Sequence, residues 1–547
     1  MKKNGFVAVM ICCLAFVAIL SGCSTNGGGS GEAATKTKGN AGQTETKQRV
    51  KITSAIYDRG SVPAAEGTIE KNRWTDWLVQ NGPHDVSFVA IPRFDSEQKY
   101  NTLFASGSAP DLLFEYSPWI RNTWYEQKQL LPLDDLIEQH STVYKEMLEK
   151  YPELRKAGTM SDGKLYYLGR LNESIPNRAI LIRKDWLDKL NLKVPETTEQ
   201  LIEVAKAFAA QGNGIYGMAV SGSAGRTIDQ MFQNMGFVVR DGQIEYAWDS
   251  TAEAAKFMKR LYDEGIIDRD FLSDTNGEKA KQDFVSGKIG IYPAQISWRT
   301  FAVNEYKTLK ENDPEAELIP IPLPESPAGA FNPTFENPVQ MTAAINRLAK
   351  HPEAVMEFAD FLATPSTGTA MGYGIEGEHY EWNEQGCPVL LEGEQKQQVG
   401  YMGDARMLTS STFATEGKCA FESQFNVNDP YEKEGLALFK LAKEAYFDLD
   451  RPFPEITLSE HMPQMPKELQ ITMGQTYKNI GDLYVKAIVS GPQYTVEQMI
   501  QDAQNVWAKG KGPEAEAWMK QWYAENKDTA FLAEDLYDII RQQQGIK

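Results

Sequence analysis

Apolar positions along this chain fall into two kinds of block. Val50–Tyr57 (VKITSAIY) and Asp85–Ile91 (DVSFVAI) are short runs rich in β-branched and aromatic residues, and each predicts a strand. The spacing around Trp74–Val79 predicts a helix between them, and Ser96–Ser106 predicts a second. Ala109-Pro110-Asp111 then reads as a turn into a buried strand, Leu112-Leu113-Phe114. Strand, helix, strand, helix, strand is a βαβ order, which predicts an α/β class with a largely parallel sheet. Further along, Ala179–Ile182, Lys288–Tyr292 and Glu317–Pro322 read as strands. Thr197 caps a predicted amphipathic helix ending near Ala210, His351–Ala363 is another helix, and from Gly435 onward the pattern is mostly helical. No internal repeat is visible.

Length and charge narrow the picture. At 547 residues the chain exceeds one ordinary core, so two lobes are expected. With 42% hydrophobic and 11% aromatic residues it can bury them. The formal charge of -19 disfavours nucleic acid and anionic headgroups as partners, because phosphate would be repelled.

The first residues read as an address. Lys2 and Lys3 precede an apolar run from Gly5 to Leu20, too short for a spanning helix and suited to a signal-peptide core. Leu20-Ser21-Gly22-Cys23 resembles the lipobox of bacterial lipoproteins, which implies cleavage after residue 22 and acylation of Cys23. Ser24–Lys47, rich in Gly, Ser, Thr and Lys, reads as a flexible tether within 23–48. Cys387 and Cys419 are then the cysteines of the folded body, and either one disulfide or two buried thiols fits them. No Cys/His metal spacing and no HExxH pair occurs, so neither a structural metal nor a cofactor is expected. Asp268, Asp270, Asp274 and Asn276 lack the spacing of a calcium loop.

The ordered landmarks carry a family resemblance. They are ASGSAPD at 105–111, LLPLDD at 130–135, DGKLYYL at 162–168, IRKDWL at 182–187 with Pro195-Glu196-Thr197, FVSGKIG at 284–290 and YGIEGEHY at 373–380. Together they resemble family 1 extracellular solute-binding proteins, the sugar-binding lipoproteins of ABC importers, in the LplA-like branch. The resemblance implies a two-lobed periplasmic-binding-protein type II fold with hinge-connected lobes and a helical C-terminal region. The expected lobes are 49–170 with 325–372, and 171–324 with 373–547. It also implies a monomer on the outer face of the cell membrane, held by its lipid, whose partners are a carbohydrate ligand and the permease subunits.

A sugar site needs aromatic platforms beside planar hydrogen-bonding side chains, because a sugar ring offers both C–H faces and hydroxyls. Asp58 and Arg59 follow the first strand, and Glu115, Tyr116 and Trp119 follow the third. On the first crossover Asn177 and Arg178 interrupt apolar runs, and Glu376 lies in the Gly-rich YGIEGEHY stretch. Trp298, after the KIGIY strand and a Pro293-Ala294-Gln295 turn, is the expected stacking platform, with Gln295 as its polar neighbour. Packing at the sheet edge explains such aromatics equally well. Two rival functions remain: an extracellular carbohydrate-active enzyme, which would need two carboxylates flanking one bond, and a receptor for a peptide or organic anion. Arg59 and Arg178 would also suit an acidic sugar.

Overall fold

Thirteen strands, taken in chain order, organise the described residues. They are β1 (Lys51–Asp58), β2 (Asp85–Pro92), β3 (Leu112–Phe114), β4 (Leu168–Leu171), β5 (Arg178–Arg183), β6 (Tyr216–Met218), β7 (Phe237–Arg240), β8 (Gln243–Tyr246), β9 (Ile289–Gln295), β10 (Leu318–Ile321), β11 (Val339–Ile345), β12 (Tyr380–Trp382) and β13 (Pro388–Leu390). The computed structural model describes residues 48–546 other than 392 and 416. The expected signal segment 1–22, Cys23 and the tether to residue 47 lie outside them.

Two sheets form the lobes. The first has the order β2-β1-β3-β11-β4 and the second β10-β5-β9-β6, while β7-β8 and β12-β13 are separate hairpins. β1 runs parallel to β2 and β3, as the βαβ order predicts, but β11 runs antiparallel to both β3 and β4. In the second sheet β5 is antiparallel to β9 and to β10. Both sheets are therefore mixed: the first because the chain returns to it from the other lobe as β11, the second because its entry strand β5 runs against β9 and β10. The first passage lies between Leu171 and Arg178, and the second between Ile321 and Val339.

Local rules set the elements. Asn72 caps the helix Arg73–Asn81 by accepting from the backbone N–H groups of Trp74 and Thr75, and Thr197 caps Thr198–Ala209 by accepting from Gln200. In β5, Ala179, Ile180, Leu181 and Ile182 are all fully buried, the near-continuous apolar run of a strand covered on both faces. Each large aliphatic side chain so buried contributes roughly 1.5 to 3 kcal/mol.

One boundary differs from expectation. The segment from residue 373 to about 408, expected with the second lobe, packs on the first. Trp74 Nε1 donates to the Gln398 carbonyl at 2.6 Å, Thr342 Oγ1 to the Met407 carbonyl at 2.7 Å, and Tyr401 Oη to Glu66 at 3.0 Å. Val399, Tyr401, Met402, Met407 and Leu408 are buried there, and surface of that kind goes where apolar area is open rather than where chain order suggests. Cys387 and Cys419 are joined in a disulfide that ties the β12-β13 hairpin to the following segment.

Candidate functional site

The C-terminal ends of β1, β2 and β3 lie side by side, and the loops leaving them carry the chemistry. Tyr57 stands one residue before the end of β1, Arg93 and Phe94 follow β2, and Glu115-Tyr116-Ser117 leads from β3 into the helix Pro118–Glu126. The Tyr57 and Tyr116 rings stack at 5.7 Å, with planes 9° apart. The Arg93 guanidinium sits over both, 5.2 Å from Tyr57 and 5.1 Å from Tyr116. Arg170, from β4, lies 5.8 Å from the Tyr116 ring, and Arg121, from the helix, 5.2 Å from Tyr167. Burial, followed by the neighbouring Glu115 carboxylate, pushes the Tyr57 hydroxyl pKa well up, so it stays a donor.

Several polar atoms here have no partner. Tyr57 Oη, Arg93 Nε, Glu115 Oε2, Arg121 Nε, Arg170 Nε and Asn177 Oδ1 are all buried without a hydrogen bond. Leaving one such group unmade costs about 1 to 3 kcal/mol, so a cluster of them marks a place built for something else to bind. Arg93, Glu115 and Phe94 line an open cavity of about 1100 Å³. That is at the upper end of small-molecule sites, large enough for more than one ring. A second recess of about 380 Å³ opens on the crossovers, lined by Arg170, Asn172, Glu336, Asn337, Gln340 and Glu460. Arg170 donates to Gln340 at 2.8 Å, and Gln340 in turn to Glu460 at 3.1 Å. Burial pushes the Glu336 carboxyl pKa up, while a hydrogen bond from Asn177 pulls against it.

On the second lobe, Arg178 opens β5 directly opposite Gln295, the last residue of β9. Ser223 joins the pair: its carbonyl accepts from Arg178 at 2.9 Å, and its hydroxyl from the Gln295 backbone at 3.2 Å. Burial lowers the Arg178 pKa, and the nearby Arg226 adds to that.

The structure separates the residues singled out from sequence. Glu115 and Tyr116 stand in the cluster, and Asn177 reaches it through Glu336. Asp58 is half-buried at its edge, where one carboxylate oxygen accepts from the Gly60 backbone. Arg59 is exposed and paired with both oxygens of Asp404, which also accepts from Tyr116 at 3.2 Å. Trp119 is half-buried on its helix, its indole N–H 3.4 Å from Glu97 on the cavity wall. Arg178 and Gln295 form their own group on the second lobe, and Glu376 is exposed in a loop apart from all of these.

Trp298 is a correction. It is fully buried, its indole N–H donates to the Pro176 carbonyl at 2.6 Å, and its ring meets Phe439 edge-on at 5.7 Å. The expected turn at Pro293-Ala294-Gln295 is strand instead, paired with Arg178, Ala179 and Ile180, so the chain runs on before Trp298 folds under the helix Pro430–Tyr446. Sequence reasoning passed over Tyr57, Arg93, Arg121, Arg170 and Asp404. The rule that pointed to Asp58 and Arg59, residues just past a strand's C-terminal end, would also have found Arg93 and Phe94 after β2. Nothing local marks Arg121 or Asp404, which arrive through packing. Asp274 is engaged in structure: it accepts from Ser221 and from the Lys279 and Ala280 backbone at the start of the helix Glu278–Val285.

Comparison with known proteins agrees with this architecture. The family model for the bacterial extracellular solute-binding protein matches residues 76–369. The fructooligosaccharide ABC transporter substrate-binding protein FusA of Streptococcus pneumoniae is 31% identical over 226 residues, 36% of this chain and 42% of FusA, so the match spans less than half of that relative. The polygalacturonan/rhamnogalacturonan-binding protein YtcQ of Bacillus subtilis is 26% identical over 417 residues, 71% of this chain and 77% of YtcQ. The solved structure of S. pneumoniae FusA in complex with kestose superposes with a TM-score of 0.62 at 18% identity, covering 88% of this chain and 100% of that one. In sequence match and in two-lobed type II fold alike, the chain belongs to the bacterial extracellular solute-binding proteins.

Proposed function

We propose that this protein is the lipid-anchored substrate-binding component of an ABC importer, capturing an oligosaccharide and handing it to the membrane permease without chemical change. The observation that carries the reading is the stacked Tyr57–Tyr116 pair, set among unpartnered buried donors and acceptors beside the 1100 Å³ cavity. Aromatic faces suit the C–H side of a sugar, and the orphaned polar atoms suit its hydroxyls. FusA, named for a fructooligosaccharide, and YtcQ, named for polygalacturonan and rhamnogalacturonan, support the same class. We assign 373–408 to the first lobe beside 49–170 and 325–372, so that Asp404 becomes a wall residue. Cys23 is the proposed acylation site, and the protein acts as a monomer.

A thermal-shift screen of the protein lacking residues 1–22 against an oligosaccharide panel, followed by titration calorimetry, tests the function. A saturable ligand raises the midpoint as RT ln(1 + [L]/Kd). New reducing ends after prolonged incubation would put the enzyme reading first. The Cys23→Ala variant should appear in the medium, and its retention on membranes would sink the anchor.

A further inference from the structure

This chain carries 75 acidic residues against 56 basic ones, so an arginine has many carboxylates to choose from. Arg59, Arg73, Arg155, Arg183, Arg226, Arg240, Arg260 and Arg299 each take at least one. Arg178, Arg269 and Arg347 take none, and neither do Arg93, Arg121 and Arg170: no carboxylate of the described residues lies within ion-pair distance of any of these last three. Yet these three gather at one place. Arg93 and Arg170 both sit on the Tyr116 ring, and Arg121, only 5% exposed, lies close enough to Glu460 and Glu115 to feel their charge without touching either.

Most of the carboxylates nearby are committed elsewhere, the unpartnered Glu115 Oε2 excepted. Asp404 is held by Arg59 and Tyr116, and Glu460 accepts from Asn337 and Gln340. Glu336 has its proton held more tightly by burial, and one oxygen of Glu115 accepts from the Ser117 backbone. Taking a guanidinium out of water without a counter-charge is costly, and stacking on tyrosine offsets only about 0.5 to 2 kcal/mol of it. Three such groups, each with a buried Nε left unpartnered, are poised for an anion that arrives from outside.

Resting on the oligosaccharide reading above, we infer that the ligand is an acidic oligosaccharide of the uronate class, its carboxylates held by Arg93 and Arg170 with Arg121 behind them. A carboxylate matches the guanidinium fork in a way that a neutral hydroxyl does not. Phe94, 85% exposed on the cavity wall, supplies an apolar face for a neighbouring sugar ring. The strongly negative protein would repel such a ligand at long range, so capture relies on this local positive patch rather than on net charge.

The test is calorimetric titration of the protein lacking residues 1–22 with trigalacturonate, with its fully methyl-esterified form and with neutral kestose. We expect trigalacturonate to bind at least about tenfold more tightly than the ester, with affinity falling as salt rises. In the Arg93→Gln/Arg170→Gln variant that preference should collapse toward one. Equal affinity for acid and ester, or a preference for kestose, overturns the inference while leaving the oligosaccharide function in place. Failure of every saccharide in a broad panel overturns the function and this inference together. Should the double variant not fold, judged by its melting transition, the acid-to-ester ratio of the unmodified protein decides alone.

Discussion

Replacing Trp298 with Ala tests whether the packed indole, rather than a sugar platform, is its role. The side chain is fully buried, so truncation exposes a void once filled by a ring system that buries about 150 to 250 Å². At about 25 cal/mol per Å² that corresponds to roughly 4 to 6 kcal/mol, in line with the 3 to 5 kcal/mol typical of large aromatic truncations. The Pro176 carbonyl also loses its donor at 2.6 Å. Trp298→Phe isolates this second effect, keeping an apolar ring at a cost of about 1 to 3 kcal/mol from the unpaired carbonyl. Urea unfolding gives the stability of both variants, and titration calorimetry gives the affinity of the folded fraction. Alanine should cause a large fall in midpoint and phenylalanine a smaller one, with affinity nearly unchanged in both. A tenfold loss of affinity in a variant that melts normally would refute the assignment and return Trp298 to the ligand.

Three further outcomes are expected. Removing the Cys387–Cys419 bridge, which closes a separation of 32 residues, should cost about 3 to 4 kcal/mol, seen as a lower melting midpoint in reductant; an unchanged midpoint would show that the hairpin holds without it. His461 is pushed down from 6.5 to about 3, chiefly by burial and then by Arg121, so it is neutral in the folded protein while the unfolded chain protonates below 6.5. Its contribution is therefore full above pH 6.5 and lost as pH falls toward 3; His461→Gln should flatten urea midpoints between pH 7 and 4.5, and an identical slope would contradict this. Asp229 is raised to about 6 by burial, so its ionisation opposes folding above that pH; Asp229→Asn should stabilise the protein at pH 7.5 by at most about 3 kcal/mol, less for its partial exposure, and by little at pH 4.

The two lobes were legible because their signals are local. β1 and β5 are short apolar runs with turn chemistry at their ends, and the helix after Thr197 starts where its cap says. The reversal of β11 was not legible, since a run such as VQMTAAI looks the same in either direction, and only the path of the crossover sets it. At the site, Glu115 and Tyr116 were found because they immediately follow a strand. Asp404 lies 345 residues from Arg59 and has no local mark. Trp298 misled because an aromatic after a strand reads alike whether it points to a cleft or under a helix, and that choice depended on Phe439, over a hundred residues away in sequence.

The position of β11 also governs the order in which the chain can become a protein. All four strands of the second sheet lie between residues 178 and 321, so that sheet can be complete while the rest is still emerging. The first sheet cannot, because β4 pairs only with β11, which ends at Ile345. That edge contact joins residues about 170 positions apart, a closure of the kind that slows assembly. A chain interrupted before residue 339 would keep an unpaired β4 and an open sheet edge, the state most prone to stick to its neighbours.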